Sequence, residues 1–322
     1  MRLIRGFVAS QAIHAAAELS VMDLLAGGPL TVSELASQSG AHELALRRLL
    51  RFLTAIDLLT EDPSGRFAPT TMGALLRADH PQSVKAWAVV YGSPQFWRPW
   101  GELTQTLRTG QPGFKLAFGE PHFTWLSQHP ADADAFNAAM TSGTHSHMGA
   151  ILDAYDFSSF TRIVDVGGGQ GGLLRAILER CPSARGVLFD MPSTIAGELH
   201  GSPVEARCDV SGGDMFQAVP LGGDAYVLKW ILHDWSDTEG IQLLRNIRQS
   251  IRAEGRLVVI ERLIGPPNEP DPVKWGDLTM LVMLTGRERT EVEFRDMFAA
   301  AGFKLTRVLQ AGESSVIEGV PV

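Results

Sequence analysis

The residues with the clearest chemical meaning in this chain are a cluster of glycines and one acidic residue. Five glycines lie within six positions, between Gly167 and Gly172, directly after the apolar residues 162–166. The next apolar run, 186–189, ends on Asp190. Glycines let the backbone turn sharply and approach a ligand, and the following helix directs its N-terminus at that ligand. An acid at the tip of the next strand can accept hydrogen bonds from two ribose hydroxyls, so the pattern predicts a nucleoside-cofactor site.

The spacing of these residues favours one kind of nucleoside cofactor. A G-x-G-x-x-G dinucleotide fingerprint can be forced onto Gly167, Gly169 and Gly172, but it leaves the preceding Asp165 unexplained. The form D-x-G-x-G, from Asp165 to Gly169, suits a cofactor with a charged amino-acid tail and no pyrophosphate. We therefore predict S-adenosylmethionine, whose ammonium and carboxylate would face the loop amides and the nearby carboxylate. Glycine-rich turns also serve tight packing, but the terminal acid favours a ligand.

From residue 160 onward, apolar runs of strand length alternate with helical segments. This alternation is typical of a doubly wound, mostly parallel α/β sheet. No long helix separates the last two runs, which predicts an antiparallel closing hairpin. The predicted strands are 162–166, 186–189, 204–210, 225–229, 256–260, 304–308 and 315–319, and the predicted helices include 173–180, 237–251, 272–284 and 292–301.

The first 155 residues are predicted to be mostly helical from the spacing of their apolar residues. The predicted elements are a helix over about 6–25, a short helix capped by Thr31 or Ser33, a helix over 44–59, a turn at 61–65 and a strand-like segment at 66–69. Two short helices and a β-turn wing describe a winged helix. Arg47, Arg48 and Arg51 on its second helix allow DNA binding as an alternative. The net charge of −8 and the cofactor domain that follows favour a dimerisation module instead.

Composition excludes several classes of protein. The net charge of −8 argues against a broad phosphate-binding surface and against a membrane partner. The two cysteines, Cys181 and Cys208, have no metal-ligand neighbours in sequence, which fits a reducing cytoplasm. No apolar run reaches about eighteen residues, so no transmembrane helix is predicted. We expect a cytoplasmic protein without nucleic-acid or membrane partners.

Four further segments carry polar residues near predicted strand ends, where open α/β sheets bind their ligands. They are G-D-M-F at 213–216, L-K-W-I-L-H-D-W at 228–235, V-I-E at 259–261 and R-E-R-T at 287–290. Asp214 offers a carboxylate to an adenine amino group, and Met215 a polarisable thioether to the ring face. With D-V-G-G-G and F-D-x-P, this order of motifs resembles the S-adenosylmethionine-dependent O-methyltransferases of the caffeic-acid and bacterial natural-product type. The resemblance covers essentially the whole chain.

The resemblance implies both a fold and an assembly. The implied fold is a seven-stranded Rossmann-like methyltransferase sheet with an N-terminal, mainly helical winged-helix dimerisation domain. Residues 1–100 would form the dimerisation domain, 101–155 a helical linker that lines the acceptor pocket, and 156–322 the cofactor-binding domain. The implied assembly is a metal-independent homodimer whose first helices intertwine. Whether the partner subunit contributes to the pocket stays open.

The same resemblance implies roles for individual residues. His233 would be the general base, and Glu261 and Glu288 the pair of carboxylates that brace it. The implied cofactor contacts are Gly167, Gly169, Asp190, Asp214, Met215, Lys229 and Trp235. The implied acceptor-binding residues are Phe136, Met140, Met148, Met280, Met283 and Leu284.

The chemistry of methyl transfer to oxygen supports a histidine base. A phenol has a pKa of about 10, so roughly one molecule in a thousand is ionised at pH 7. Neutral His233 can remove that proton during attack on a sulfonium methyl group. A carboxylate on the other ring nitrogen, from Glu261 or Glu288, would fix the tautomer and stabilise the imidazolium. As an alternative, His233 only caps the helix that begins near Ser236.

Departures from the plant pattern bear on the acceptor. Gly143 stands where those enzymes have a histidine, and Leu284 where they have a polar residue. Residues 111–120 resemble a segment of bacterial phenazine-type methyltransferases. We therefore expect an aromatic, hydroxylated bacterial secondary metabolite as acceptor. The alternatives are methyl transfer to nitrogen or carbon, or a decarboxylase, hydroxylase or pericyclase that uses the same cofactor.

Overall fold

The chain forms two compact units. A computed structural model describes residues 1–192, 194, 195, 199 and 201–322, with the backbone alone at Ser146. One unit contains Met1–Trp100 and His129–Ser142, and the other contains Gly101–Gln128 and Gly143–Val322. Each unit has its own hydrophobic core. The three predicted domain ranges stay a prediction.

The N-terminal part of the chain consists of short helices and a three-stranded antiparallel sheet. Leu35, Leu50 and Phe67 are buried in its core. Thr31 caps the third helix, because its side chain accepts the Glu34 amide and the Glu34 carboxylate accepts the Thr31 amide. The sheet has the order β1-β3-β2. The elements are α1 (Gly6–Glu18), α2 (Val21–Leu24), β1 (Leu30–Thr31), α3 (Val32–Ser39), α4 (Glu43–Ala55), β2 (Leu59–Glu61), β3 (Arg66–Pro69), α5 (Thr71–Ala74), α6 (Lys85–Gly92) and α7 (Pro94–Gly101).

Two helices predicted in this region are shorter in the structure. The predicted helix 6–25 is interrupted at Ser20, which has a left-handed φ of 52°. The predicted helix 44–59 ends at Ala55, because Asp57 has a φ of 61° and the chain then enters β2. Apolar residues continue through both breaks, so their spacing alone does not reveal them.

Four helices follow before the main sheet begins. They are α8 (Leu103–Thr109), α9 (Gly113–Phe118), α10 (His122–Gln128) and α11 (Pro130–Ala154). Aromatic rings hold α9 and α10 together, since Phe114 lies 4.8 Å from His122 and Phe118 lies 4.6 Å from Trp125, measured between ring centroids. None of the helices that the structure describes combines the length and the apolar content needed to cross a membrane.

The second unit contains a seven-stranded sheet, and the predicted fold class is confirmed. The strand order is β6-β5-β4-β7-β8-β10-β9. Neighbours from β6 to β8 run parallel, and β10 is antiparallel to β8 and β9 as the predicted closing hairpin requires. The strands are β4 (Arg162–Val166), β5 (Arg185–Asp190), β6 (Cys208–Gly212), β7 (Ala225–Lys229), β8 (Arg256–Glu261), β9 (Phe303–Ala311) and β10 (Ser314–Pro321), and the helices are α12 (Gly172–Arg180), α13 (Asp237–Ser250), α14 (Val273–Met283) and α15 (Glu291–Ala300).

Alternate residues of the central strands pack on opposite faces of the sheet. Tyr226 and Leu228 of β7 belong to the core that contains residues of α13 and α15. Ala225 and Val227 belong to the core that contains residues of α11 and α12. Because strand order reverses between β4 and β7, a crevice is expected at their carboxyl ends, which carry Val166 and the residues after Lys229.

The strand predicted at 204–210 begins later than expected. Residues Glu205–Arg207 form a single 3₁₀ turn, and β6 starts at Cys208. The Arg207 guanidinium donates hydrogen bonds to the carbonyl oxygens of Leu178, Cys181 and Ala184. These bonds hold Arg207 against the end of α12, so the strand begins only at the next residue.

Candidate active site

The glycine-rich turn after β4 has a left-handed backbone at alternate positions. The φ angles are 69° at Gly167, 59° at Gly169 and 84° at Gly171. A Cβ atom at Gly167 would lie 2.4 Å from Cδ1 of Ile231, whereas one at Gly169 would enter open space. Glycine adopts such angles without steric cost. The loop therefore presents bare backbone on one side and packs closely against residue 231 on the other.

Two carboxylates lie against this loop. Oδ2 of Asp190, at the end of β5, accepts a hydrogen bond from the Gly169 amide at 2.8 Å. Asp165 is 1% exposed, and its Oδ2 has no hydrogen-bond partner among the described residues. Burial raises the pKa of Asp165 to about 7, and the charge of Asp190 acts in the same direction. A buried carboxylate without a partner beside such a loop is available to a cationic group of a ligand.

The G-D-M-F segment lies at the neighbouring strand end. The Gly213 amide donates a hydrogen bond to the Asp190 carbonyl at 3.0 Å, which brings the segment to the tip of β5. Asp214 is exposed, and its Oδ1 accepts the amide of Phe216 at 2.9 Å. Met215 is half-buried and packs against the core of the sheet. The structure thus brings the predicted carboxylates Asp190 and Asp214 to one edge of the sheet.

Trp235 packs between two other aromatic rings. Phe123 of α10 stacks on it with ring centroids 5.6 Å apart, and Phe216 meets it edge-on at 4.6 Å. Phe216 directly follows the G-D-M segment, so these rings form an apolar surface near the strand-end carboxylates. Such a combination suits a purine base. Phe123 and Phe216 are not among the predicted cofactor contacts.

Lys229 is the last residue of β7, and its side chain contacts α11. Its Nζ donates a hydrogen bond to Oγ1 of Thr144 at 3.1 Å and lies 3.4 Å from the ring centroid of Trp230. Burial lowers the pKa of Lys229 to about 7, although the charges of Glu261 and Asp165 act to raise it. Lys229 is therefore within electrostatic reach of both Asp165 and Glu261. Its role as a cofactor contact stays a prediction.

His233 occupies a short 3₁₀ turn, Leu232–Asp234, between β7 and α13. Its Nδ1 lies 3.0 Å from Oε1 of Glu288, which is 2% exposed. With the proton on Nδ1, this hydrogen bond leaves the lone pair of Nε2 to accept another proton. Helix α13 is capped by Ser236 through a capping box with Glu239, so the alternative in which His233 caps it is wrong.

Glu261 holds the backbone of this turn more directly than it holds the imidazole. Its Oε1 accepts hydrogen bonds from three consecutive amides, those of Ile231 at 3.0 Å, Leu232 at 2.9 Å and His233 at 3.3 Å. Its Oε2 lies 3.7 Å from Nδ1 of His233 and has no hydrogen-bond partner among the described residues. Of the two predicted carboxylates, Glu288 therefore bonds the ring and Glu261 bonds the chain that carries it.

A third carboxylate completes the cluster around His233. Oδ1 of Asp234 lies 3.3 Å from Nε2, on the side opposite Glu288. Burial lowers the pKa of His233, but the charges of Glu261, Asp234 and Glu288 outweigh it and raise the pKa to about 10. Burial likewise raises the pKa of Asp234 to about 7. Asp234 is not among the residues predicted to form the site, although it directly follows His233 in the chain.

The same cluster has the ligand types of a metal site. One atom each from His233, Glu261 and Glu288 lie within 4.8 Å of one another. The 3.0 Å separation of Nδ1 and Oε1 is also that of a hydrogen bond, which satisfies these two atoms without an ion, whereas Oε2 of Glu288 has no hydrogen-bond partner among the described residues. The predicted metal independence stays a prediction.

The residues predicted to bind the acceptor lie on two helices. Met280 and Leu284 are half-buried and Met283 is buried, within or directly after α14. Met148 of α11 packs against the sheet core. Phe136 and Met140 also lie on α11, within the first unit. The grouping of these six residues in one pocket stays a prediction.

Helix α14 contacts the base cluster through the Asp277 side chain and through the bare backbone at Gly276. Oδ1 of Asp277 accepts the Glu288 amide at 3.0 Å. A Cβ atom at Gly276 would lie 3.1 Å from Oε1 of Glu288, so only a very small residue leaves room for that carboxylate. The helix predicted to line the acceptor pocket therefore also positions the partner of His233.

Comparison with known proteins defines the class of this one. The family model of the O-methyltransferase domain matches residues 100–304, and that of the O-methyltransferase dimerisation domain matches residues 1–79. The chain belongs to this O-methyltransferase family and is a methyltransferase.

Individual relatives transfer methyl groups to different atoms. The chain is 40% identical to phenazine O-methyltransferase PhzM of Lysobacter antibioticus, over 100% of this chain and 95% of the relative. It is 38% identical to 8-amino-8-demethylriboflavin N,N-dimethyltransferase of Streptomyces davaonensis, over 94% and 88%. Among solved structures, human N-acetylserotonin methyltransferase in complex with SAM superimposes with a TM-score of 0.91 at 29% identity, over 99% and 96%.

The residues around the glycine-rich loop fit S-adenosylmethionine. The open space beyond Gly169, the unpartnered Oδ2 of Asp165 and the carboxylate of Asp190 suit a ligand with an ammonium group and ribose hydroxyls. Any side chain at residue 169 would occupy the space that the bare backbone leaves.

We expect Gly169→Ala to weaken cofactor binding. Its methyl group enters the open side of the loop, and we expect the dissociation constant for S-adenosylmethionine to rise about tenfold or more, measured by titration calorimetry. Gly222→Ala is the matched control, because Gly222 has a φ of 78° and also faces open space. Both variants carry the cost of a left-handed alanine, so unchanged affinity in Gly169→Ala would place the cofactor elsewhere.

Proposed function

We propose that this protein methylates a hydroxyl group of an aromatic bacterial secondary metabolite, with S-adenosylmethionine as donor and no metal. The observation that carries the proposal is the placement of His233, whose Nδ1 hydrogen-bonds the buried Glu288 carboxylate while Nε2 is turned away from it. The similarity to a phenazine O-methyltransferase supports the acceptor class.

The cofactor would be held by residues at four strand ends. Gly167 and Gly169 would contact its amino-acid part, Asp190 its ribose, and Asp214, Met215 and Trp235 its adenine, with Lys229 at the α11 side. When bound, S-adenosylmethionine supplies a methyl group on a positively charged sulfur that leaves as a neutral thioether. The protein therefore has to stabilise little charge at the leaving group.

His233 would take the proton of the acceptor hydroxyl. The hydroxyl would approach Nε2, where it would replace or share the contact of this nitrogen with Oδ1 of Asp234. Its oxygen would become nucleophilic as the proton moves to the ring. The imidazolium that forms lies against Glu288, Glu261 and Asp234. These carboxylates stabilise the imidazolium that forms when the ring takes the proton, and the neutral ring that begins the reaction is favoured at alkaline pH.

A homodimer is supported by the dimerisation domain at residues 1–79. The N-terminal segment also exposes apolar side chains, with Leu3 88% and Ile4 71% exposed. A second copy of the chain would cover such side chains.

Methyl transfer to nitrogen is the second candidate function. The similarity to a riboflavin N,N-dimethyltransferase favours it. An amine that is already neutral at pH 7 has a nucleophilic lone pair and needs no base before attack. The two functions therefore differ in how far turnover depends on His233.

The function can be tested with the purified protein and labelled S-adenosylmethionine. Matched aromatic compounds that carry either a hydroxyl or an amino group would be screened by mass spectrometry, with and without EDTA. We expect hydroxyl compounds to be methylated, S-adenosylhomocysteine to form in step with product, and EDTA to have no effect. Exclusive methylation of amines, or product without S-adenosylhomocysteine, would contradict the proposal.

We expect Glu288→Gln to lower the pKa of His233 and to reduce turnover on the alkaline plateau of the pH–rate profile, where the ring is neutral. The amide oxygen can still accept the Nδ1 proton, but the negative charge that helps raise this pKa above 6.5 is gone. The acidic limb of the pH–rate profile should move to lower pH, and NMR titration of the ring should report the same direction. In the wild-type protein the raised pKa stabilises the fold below about pH 6.5, and this contribution is lost as pH rises towards 10. The variant should therefore lose more stability at pH 6 than at pH 9, and the opposite order would refute the assignment.

A further inference from the structure

Arg289 is a fully buried cation next to the base cluster. It is 0% exposed, although it directly follows Glu288 in the chain. Its Nη1 donates to the Leu232 carbonyl at 2.7 Å, and its Nη2 donates to the Trp235 carbonyl at 2.8 Å. The first of these carbonyls belongs to the turn that carries His233, and the second belongs to the residue that directly follows it. A buried guanidinium that contacts the backbone of this particular turn is well placed to set its position.

All five N–H groups of the Arg289 guanidinium have acceptors. Besides the two carbonyls of the turn, Nε and Nη2 donate to Oδ1 of Asp237 at 3.0 and 2.8 Å, and Nη1 donates to the Arg287 carbonyl at 3.3 Å. Only a planar fork of donors can reach these acceptors together, since a lysine ammonium has three donors at a single point. The position therefore requires arginine rather than any cation.

Glu261 binds the backbone amides of the turn, and Arg289 binds its backbone carbonyls. Glu261 accepts the amides of Ile231, Leu232 and His233, and Arg289 donates to carbonyls of the turn. Both the amide and the carbonyl of Leu232 are bound in this way. Among the described residues the turn pairs with no strand. Its own backbone bonds run from Asp234 to Ile231 and from Trp235 to Leu232, and the two side chains supply the other hydrogen bonds given above.

The loop that carries Arg289 also approaches this turn closely. A Cβ atom at Gly286 would lie 1.9 Å from the carbonyl oxygen of His233, which leaves room for glycine alone. The segment from Gly286 to Arg289 thus supplies the ring partner, the carbonyl donors and a backbone contact to the same few residues. A shift of the Arg289 guanidinium would therefore displace the backbone of the turn and, with it, the imidazole of His233.

We propose that Arg289 is a positioning residue that acts through His233: it fixes the carbonyls of residues 232 and 235 while Glu261 fixes the amides, so that the imidazole stays on Glu288. The proposal deepens the proposed function and rests on it. A role limited to filling the core would predict loss of stability without any specific coupling to His233.

The test compares Arg289→Lys with Arg287→Ala as the matched control. Arg287 binds the same Asp237 and also Glu293, and among the described residues its side chain forms no hydrogen bond or ion pair with the turn. We expect Arg289→Lys to reduce kcat about 10- to 100-fold with the affinity for S-adenosylmethionine unchanged, and Arg287→Ala to stay within about twofold of wild type. Hydrogen exchange at the amides of residues 231–235 should accelerate in Arg289→Lys alone.

A double-mutant cycle with His233→Gln separates positioning from general damage. If Arg289 acts through His233, the double variant should be no slower than His233→Gln, because the base that Arg289 positions is already absent. Additive losses would overturn the proposal. Inactivity of the wild-type protein towards every hydroxyl acceptor would instead contradict the proposed function, whereas the exchange measurement would still report on Arg289.

Chemical rescue covers the case in which Arg289→Lys is poorly folded. Arg289→Ala leaves a buried cavity whose acceptors, the carbonyls of Leu232 and Trp235 and the Asp237 carboxylate, suit a free guanidinium ion. We expect methylguanidinium to restore kcat in a saturable manner in Arg289→Ala and to have no effect on wild type or Arg287→Ala. Folded Arg289→Ala with wild-type turnover would overturn the proposal.

Discussion

Replacing His233 with glutamine is expected to reduce turnover of a phenolic acceptor by about 10² to 10⁴-fold, the range for loss of a general base. Glutamine is close in size and can still donate to Glu288, but it cannot take a proton from the acceptor. The affinity for S-adenosylmethionine should stay within about threefold of wild type, because no contact in the glycine-rich loop changes. Single-turnover kinetics and calorimetry measure the two effects separately.

A second histidine provides the control for this experiment. His42 is exposed, begins α4 without a side-chain capping bond and belongs to the first unit, so His42→Gln should leave turnover unchanged. The pH dependence adds a further check, because the wild-type rate should fall on acidification as His233 becomes protonated. Unchanged turnover of a hydroxyl acceptor in His233→Gln would remove the proposed base. Unchanged turnover of an amine acceptor would favour transfer to nitrogen.

Replacing Glu261 with alanine is expected to have the largest effect on stability. The carboxylate is 0% exposed, and its Oε1 is the shared acceptor of three amides. A buried donor without a partner costs about 1–3 kcal/mol, so we expect a loss of about 3 kcal/mol or more. For a unit of this size the melting temperature should fall by roughly 6–12 °C in a calorimetric scan.

Glu261→Gln is the informative comparison. Its amide oxygen can take the place of Oε1, and Oε2, which the amide nitrogen replaces, has no hydrogen-bond partner among the described residues. We therefore expect most of the stability to be kept and turnover at alkaline pH to fall, because a charge that stabilises the His233 imidazolium is lost. Glu313→Ala serves as a surface control, since that carboxylate is 71% exposed and its ion pairs are worth little. Equal melting temperatures for Glu261→Ala and Glu261→Gln would show that the amide bonds do not hold the turn.

The sheet and the glycine-rich loop are the parts that the sequence predicts well, because both depend on local pattern. A parallel strand buried on both faces is a continuous apolar run, and the predicted bounds 162–166 and 225–229 match the observed β4 and β7. A left-handed turn requires glycine, so Gly167 and Gly169 mark it directly. Prediction is weaker at element ends such as Ala55 and Cys208, where apolar spacing continues beyond the structural break.

The amino-acid sequence by itself determined which strands lead into glycines, an acidic residue or a histidine. It therefore determined that Asp190, Asp214 and His233 lie at or just after strand ends. Only the tertiary structure decided what each of these groups meets. Whether Glu261 or Glu288 bonds the imidazole depends on how the loop after α14 closes over the end of β7. Phe123 stacks on Trp235, and Arg289 reaches the turn, through contacts between residues distant in the chain. Local periodicity carries no information on such contacts, because they arise only when separately folded segments pack together.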